Sequence, residues 1–174
     1  LFESEQVTLS AGVPTVWQGL LAHVQANQLQ FSSMKRTVIG GSACPPAMIR
    51  TFGDQYGVHV LHAWGMTEMS PLGTVCSFKP HHLQQTQEQR YAVMAKQGRA
   101  IFGVDMKIVD DNGNELPFGG ETSGDLLVRG PWIVSEYFKG EGGNPLQADS
   151  AGRGWFPAGD VAKIDADGYM QITD

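Results

Sequence analysis

"KRTVIGGSACPPAMIRTFGDQYGVHVLHAWG", residues 35–65, is the stretch that decides the fold. "KRTVIGG" is a short apolar run closed by two glycines, the pattern of a buried strand. "PPAMIRTFGDQYG" follows as a helix, with proline in its first turn and Gly57 at its C-terminal stop. "VHVLHAW" is a second strand. Strand, helix and strand at this spacing predict a parallel βαβ unit, because parallel neighbours need a crossover that a helix supplies.

Outward from this unit the two sides differ. Upstream, residues 1–7 and 16–28 place apolar residues at helical spacing, with Val16, Leu20, Leu21 and Val24 as the inward stripe. "TLSAGVPT", residues 8–15, has the punctuation of a strand end or loop. Downstream, residues 79–96, "KPHHLQQTQEQRYAVMAK", are polar and then weakly helical, a connector. Beyond it "GVDMKIVDDNGNELP" alternates Val104, Met106 and Ile108 before a turn at Asp111, Asn112 and Gly113. "SGDLLVRG" and "GWFPAGDVAKIDADGYMQITD" repeat that theme. The expected class is α/β: a parallel βαβ portion over 1–78, the connector 79–96, and a β-rich, barrel-like subdomain over 97–174. The chain opens within a helix pattern and closes within a strand pattern, as a piece of a larger protein would.

The bulk numbers narrow the function. The chain has 174 residues and a net charge of −6 without a Lys/Arg block, which argues against an electrostatic nucleic-acid binder. Two cysteines, Cys44 and Cys76, fit a reduced, cytoplasmic setting better than a disulfide scaffold. No apolar run reaches the ~20 residues of a membrane span. Association of copies stays open.

Three segments can carry chemistry. "GGSACPP", residues 40–46, leaves the first strand of the unit, where ligands of open α/β sheets bind and where glycine lets a ligand approach the backbone. It departs from the G-x-S-x-G nucleophile elbow, since Cys44 stands at the closing glycine. "HAWGMTEMSP", residues 62–71, leaves the neighbouring strand. There the Thr67 hydroxyl can donate to a phosphate, Glu68 can ligate Mg²⁺, and Trp64 offers a flat face. Each pair alone also reads as an ordinary turn. In "FPAGDVAKIDADGYMQITD", residues 156–174, Asp160 can accept two hydrogen bonds from a ribose diol. Asp165, Asp167 and Asp174 read as turn residues, and His81 and His82 as a solvated pair rather than metal ligands.

Together with "GVPTVW" at 12–17, these segments resemble the adenylate-forming superfamily of acyl-CoA synthetases, amino-acid-adenylating domains and luciferases. The likeness is strongest to bacterial medium- and long-chain fatty-acyl-CoA ligases, including the methylthiopropionate-CoA ligase group. It covers nearly the whole chain. The resemblance implies a two-step reaction in which a carboxylate displaces pyrophosphate from ATP to give an acyl-adenylate, and CoA then displaces AMP. It implies that Thr67 and Glu68 are the catalytic pair, with Glu68 on Mg²⁺. Trp64 would pack on adenine opposite the Ser42–Ala43–Cys44 backbone, with His62 and Ala63 near the adenine edge and Gly65 and Met66 also in the nucleotide site. Asp160 would take the ribose hydroxyls, Ile172 would lie under the nucleotide, and Gly41, Met69 and Pro71 would border the acyl group. Positioning and charge neutralisation suit such a displacement better than a base would.

The superfamily's Ser/Thr/Gly-rich phosphate loop, its hinge arginine and its small C-terminal domain with the adenylation lysine have no match in these residues. The chain is therefore expected to be the later part of the large N-terminal domain and to be inactive in ligation alone. Two other readings compete: an amino-acid-adenylating domain of a carrier-protein assembly line, and a non-catalytic binding module of the same fold.

Overall fold

A computed structural model describes residues 1–174. Its contacts divide into two compact units. The first comprises Leu1–Trp64 and Val75–Gln97, the second Gly65–Thr74 and Gly98–Asp174. No helix is long and apolar enough to cross a membrane.

The first unit is built on three parallel strands, β1 (Leu9–Gly12), β2 (Arg36–Ile39) and β3 (His59–Gly65), with β2 in the middle. Helix α1 (Pro14–Ala26) is the crossover from β1 to β2. Pro14 stands at its first turn, where a missing N–H costs nothing and φ is already helical. Its inward stripe is Trp17, Leu21 and Val24. Val16, expected there, is 59% exposed. The helix is rotated so that the indole, with more area to bury, takes the core. Trp17 meets Phe52 edge to face at 5.8 Å, and Phe31, Ile49, Val58 and Val60 belong to the same cluster.

The crossover from β2 to β3 is helical as expected. Helix α2 (Pro46–Arg50) runs on as a π-helical turn, Thr51–Gln55, and Gly57 closes it at φ +63. Residues 1–7 differ from expectation. Glu5 N–H bonds the Leu1 carbonyl, a single turn, and the chain then leaves helical geometry at Gln6, φ +50. Residues 79–96 are more than a connector. A 3-10 turn spans Pro80–Gln84, and α3 (Gln87–Met94) opens on a Thr86–Gln89 capping box. Tyr91 and Met94 from α3 enter the unit's core. His81 is exposed, but His82 is 3% exposed and its Nδ1 accepts the Lys79 N–H at 3.1 Å. The pair is thus only half solvated.

The second unit carries β4 (Leu72–Val75) up to Thr74, and β4 pairs with β5 (Arg99–Ala100). Its curled antiparallel sheet has the order β10-β9-β7-β6, from β6 (Asp105–Val109), β7 (Gly124–Arg129), β9 (Gly154–Ile164) and β10 (Met170–Ile172). A short β8 (Gln147–Ala148) pairs on β9. A bulge between Asp125 and Leu127 sharpens the curl. The turns follow side-chain chemistry. Asp110 accepts from the Asn112 and Asn114 amides, and Asp165 from those of Asp167 and Tyr169. Those four amide bonds hold both hairpins. Ile108, Leu126, Val128, Ile164, Tyr169 and Met170 form the fully buried layer.

Candidate functional site

In the first unit the tips of β2 and β3 run side by side, with Ile39 opposite His62. Gly40 has to be glycine, since a Cβ there would stand 2.8 Å from the Ala63 carbonyl oxygen. Gly41 then takes φ +81 and turns the chain into the loop that Pro46 ends at α2. Gly41, Ser42 and Ala43 are exposed, so the loop offers backbone and small side chains to solvent.

His62 holds this loop from below. Its ring is 1% exposed. Nε2 accepts the Cys44 N–H at 3.2 Å, so the ring proton lies on Nδ1 and is donated to the Ala95 carbonyl, also at 3.2 Å. Burial pushes the imidazole below its usual pKa, against the pull of the carbonyls of Ala95, Lys96 and Met94. The sequence suggested that His62 borders a ligand. The structure commits both ring nitrogens to the scaffold, and the partner that sequence reasoning missed is Ala95, at the end of the supposed connector. Burial also pushes the Cys44 thiol up to about 12, so it is no nucleophile at neutral pH. Ala63 is buried and Trp64 half-buried.

In the second unit the Thr–Glu turn is a closed loop. The Met66 N–H bonds the Pro71 carbonyl at 2.9 Å, and a Cβ on Gly65 would overlap that same oxygen. Only glycine permits this closure. Thr67–Met69 forms one 3-10 turn, with Ser70 left-handed at φ 55. Thr67 is exposed, Glu68 half-buried, Met69 fully buried and Pro71 exposed.

Three hydrogen bonds fasten this turn to the segment after β7. The Glu68 carbonyl accepts the Val134 N–H at 2.8 Å, the Ser70 hydroxyl donates to the Trp132 carbonyl at 3.0 Å, and the Tyr137 hydroxyl donates to Glu68 Oε1 at 3.2 Å. Partial burial first, and the bond to Glu68 second, raise the Tyr137 phenol above its ordinary pKa. Nothing in the sequence marked Tyr137, because it stands 69 positions from its partner.

Asp160 lies half-buried in β9, just after Gly159 at φ +81. Two residues on, Ala162 pairs with Ile172 of β10, so Asp160 and Ile172 come from adjacent strands. The chain end is tied down beside them. Thr173 N–H bonds the Val161 carbonyl at 2.9 Å, and the Val161 N–H is accepted by Asp174 at 3.0 Å.

Residues 1–138 match the AMP-binding enzyme family, and the chain belongs to that family. Across all 174 residues it is 51% identical to the 3-methylmercaptopropionyl-CoA ligase of Ruegeria lacuscaerulensis and 47% identical to the medium-chain-fatty-acid–CoA ligase of Ectopseudomonas oleovorans. It spans 31% of the length of each of these relatives. The crystal structure of a long-chain-fatty-acid-CoA ligase from Archaeoglobus fulgidus superposes with a TM-score of 0.82 at 26% identity, over 99% of this chain and 35% of that one. The mixed α/β fold, a parallel-containing sheet followed by a curled antiparallel sheet, is that of the family's large domain.

Proposed function

We propose that the protein containing this chain is an ATP-dependent acid–thiol ligase that activates an aliphatic carboxylate. The carboxylate oxygen attacks the α-phosphorus of ATP and pyrophosphate leaves. The CoA thiol then attacks the acyl carbonyl and AMP leaves. The cytoplasm, where ATP and CoA are both at hand, is the proposed setting.

The observation that carries this reading is the Thr67–Glu68 turn, locked by Gly65 and by bonds to Trp132, Val134 and Tyr137 in a chain of the AMP-binding family. In the proposed assignment the Thr67 hydroxyl donates to a phosphate oxygen. The half-buried Glu68 carboxylate suits magnesium, a hard cation that takes one or two carboxylates alongside substrate phosphates. When bound, the ion neutralises phosphate charge. Trp64 stacks on adenine opposite the backbone of Ser42, Ala43 and Cys44, with Ala63 at its edge and Gly65 and Met66 also in the nucleotide site. His62 serves by holding the Cys44 amide in place. Asp160 accepts from the ribose hydroxyls, with Ile172 beneath the nucleotide. Gly41, Met69 and Pro71 border the acyl group, Met69 from its buried position.

The test is pyrophosphate release by the whole protein with ATP, CoA and a panel of carboxylates: medium- and long-chain fatty acids, 3-methylmercaptopropionate and amino acids. The proposal predicts release with aliphatic acids and a CoA thioester as product. Release with amino acids alone, or with no carboxylate at all, contradicts it.

A further inference from the structure

Tyr137 and Glu68 meet across 69 positions of sequence, so their contact is made by the fold and not by local geometry. The two loops that bring them together are joined twice more, Val134 N–H to the Glu68 carbonyl and Ser70 Oγ to the Trp132 carbonyl. The far loop is itself braced. Gly103 runs so close beneath Trp132 that a Cβ there would stand 2.6 Å from the indole. The Tyr137 hydroxyl is therefore delivered to Glu68 by a seated loop.

A glutamate left alone samples several rotamers and offers either oxygen in changing directions. A phenol that donates to Oε1 restrains that oxygen while adding no positive charge. A lysine or arginine in the same place would order the side chain equally well but would compete with a cation for it. A neutral donor is the choice that orients a carboxylate and leaves its charge for a metal.

We infer that Tyr137 is a positioning residue for Glu68, holding one carboxylate oxygen so that the group faces a divalent cation in a fixed orientation. This rests on the proposed role of Glu68 as the magnesium ligand. Outer partners of metal ligands are worth about 10–100-fold in metal affinity.

The experiment uses the whole protein and α,β-methylene-ATP as a non-reacting probe, with calorimetry of its binding at rising Mg²⁺. Tyr137→Phe keeps the ring and removes only the donor. The expected result is about a ten-fold rise in the Mg²⁺ concentration that gives half-maximal nucleotide affinity, at unchanged Tm. In a Glu68→Gln background the same substitution adds nothing, because the coupling runs through that carboxylate. If Glu68→Gln shifts the Mg²⁺ response and Tyr137→Phe does not, the inference is wrong while the role of Glu68 stands. If Glu68→Gln leaves the Mg²⁺ response unchanged, both are wrong. A lowered Tm with an unchanged Mg²⁺ response makes Tyr137 a structural residue and overturns the inference.

Discussion

The loop after β2 and the turn after β3 are built from the same material and held in opposite ways. Each needs a glycine because another backbone passes close by, Gly40 against Ala63 and Gly65 against Pro71. The first loop is then fixed from inside, by a buried neutral imidazole whose two nitrogens bridge Cys44 and Ala95. The second is fixed near the surface, with the Ser70 hydroxyl and the Glu68 carboxylate bonded to partners from the segment after β7. A loop that offers backbone and small uncharged side chains can be held by a buried group. A turn that must offer a charge has to keep it near water, because a carboxylate loses far more on burial than a backbone amide does.

This contrast can be broken by substitution. The largest effect is expected at Phe52, 0% exposed in the first unit's core, where Phe52→Ala should cost about 3–5 kcal/mol in urea unfolding. Gly65→Ala should come next, at about 1–3 kcal/mol, with loss of adenylate formation even where the protein stays folded, since the added methyl overlaps the Pro71 carbonyl. An active Gly65→Ala protein would mean that the closed turn is not required.

Acid separates the two holding devices. Burial is the leading cause that depresses both His59 and His62, and the nearby Arg36 and Arg90 add to it at His59. Their unfolded forms take up protons near ~6.5. The stability they contribute is thus present above that pH and lost as pH falls through their lower folded values. Tm should drop as pH falls below ~6.5, where most carboxylates remain charged, and His62→Gln should reduce both the neutral-pH stability and this slope. The smallest effect is expected at the Asp105–Arg129 ion pair, 2.5 Å long between side chains 60% and 35% exposed. Asp105→Asn should change unfolding free energy by about 0.2–1 kcal/mol, less at high salt.

The βαβ unit was readable in the sequence because a buried parallel strand and its crossover helix each leave a pattern within a few residues. Gly57 and the Asp111–Gly113 turn were readable for the same reason. What the sequence left open shares a cause. Val16 and Trp17 are adjacent, and periodicity could not say which of them faces Phe52. Residues 79–96 carry few apolar groups, yet Tyr91 and Met94 suffice to seat α3 in the core. The glycines and the Thr–Glu pair drew attention as local motifs. Ala95 and Tyr137, which hold His62 and Glu68, did not, since a carbonyl has no sequence signature and an aromatic residue 69 positions away has none either.

The central claim is that the carboxylate after β3 serves phosphoryl chemistry. ATP–pyrophosphate exchange by the whole protein, wild type against Glu68→Gln, with Tm as the control for folding, tests it most directly. Exchange is expected to fall by more than the ~100-fold typical of losing a partner of a metal ligand, with Tm preserved. Exchange at the wild-type rate in a folded Glu68→Gln protein would contradict it.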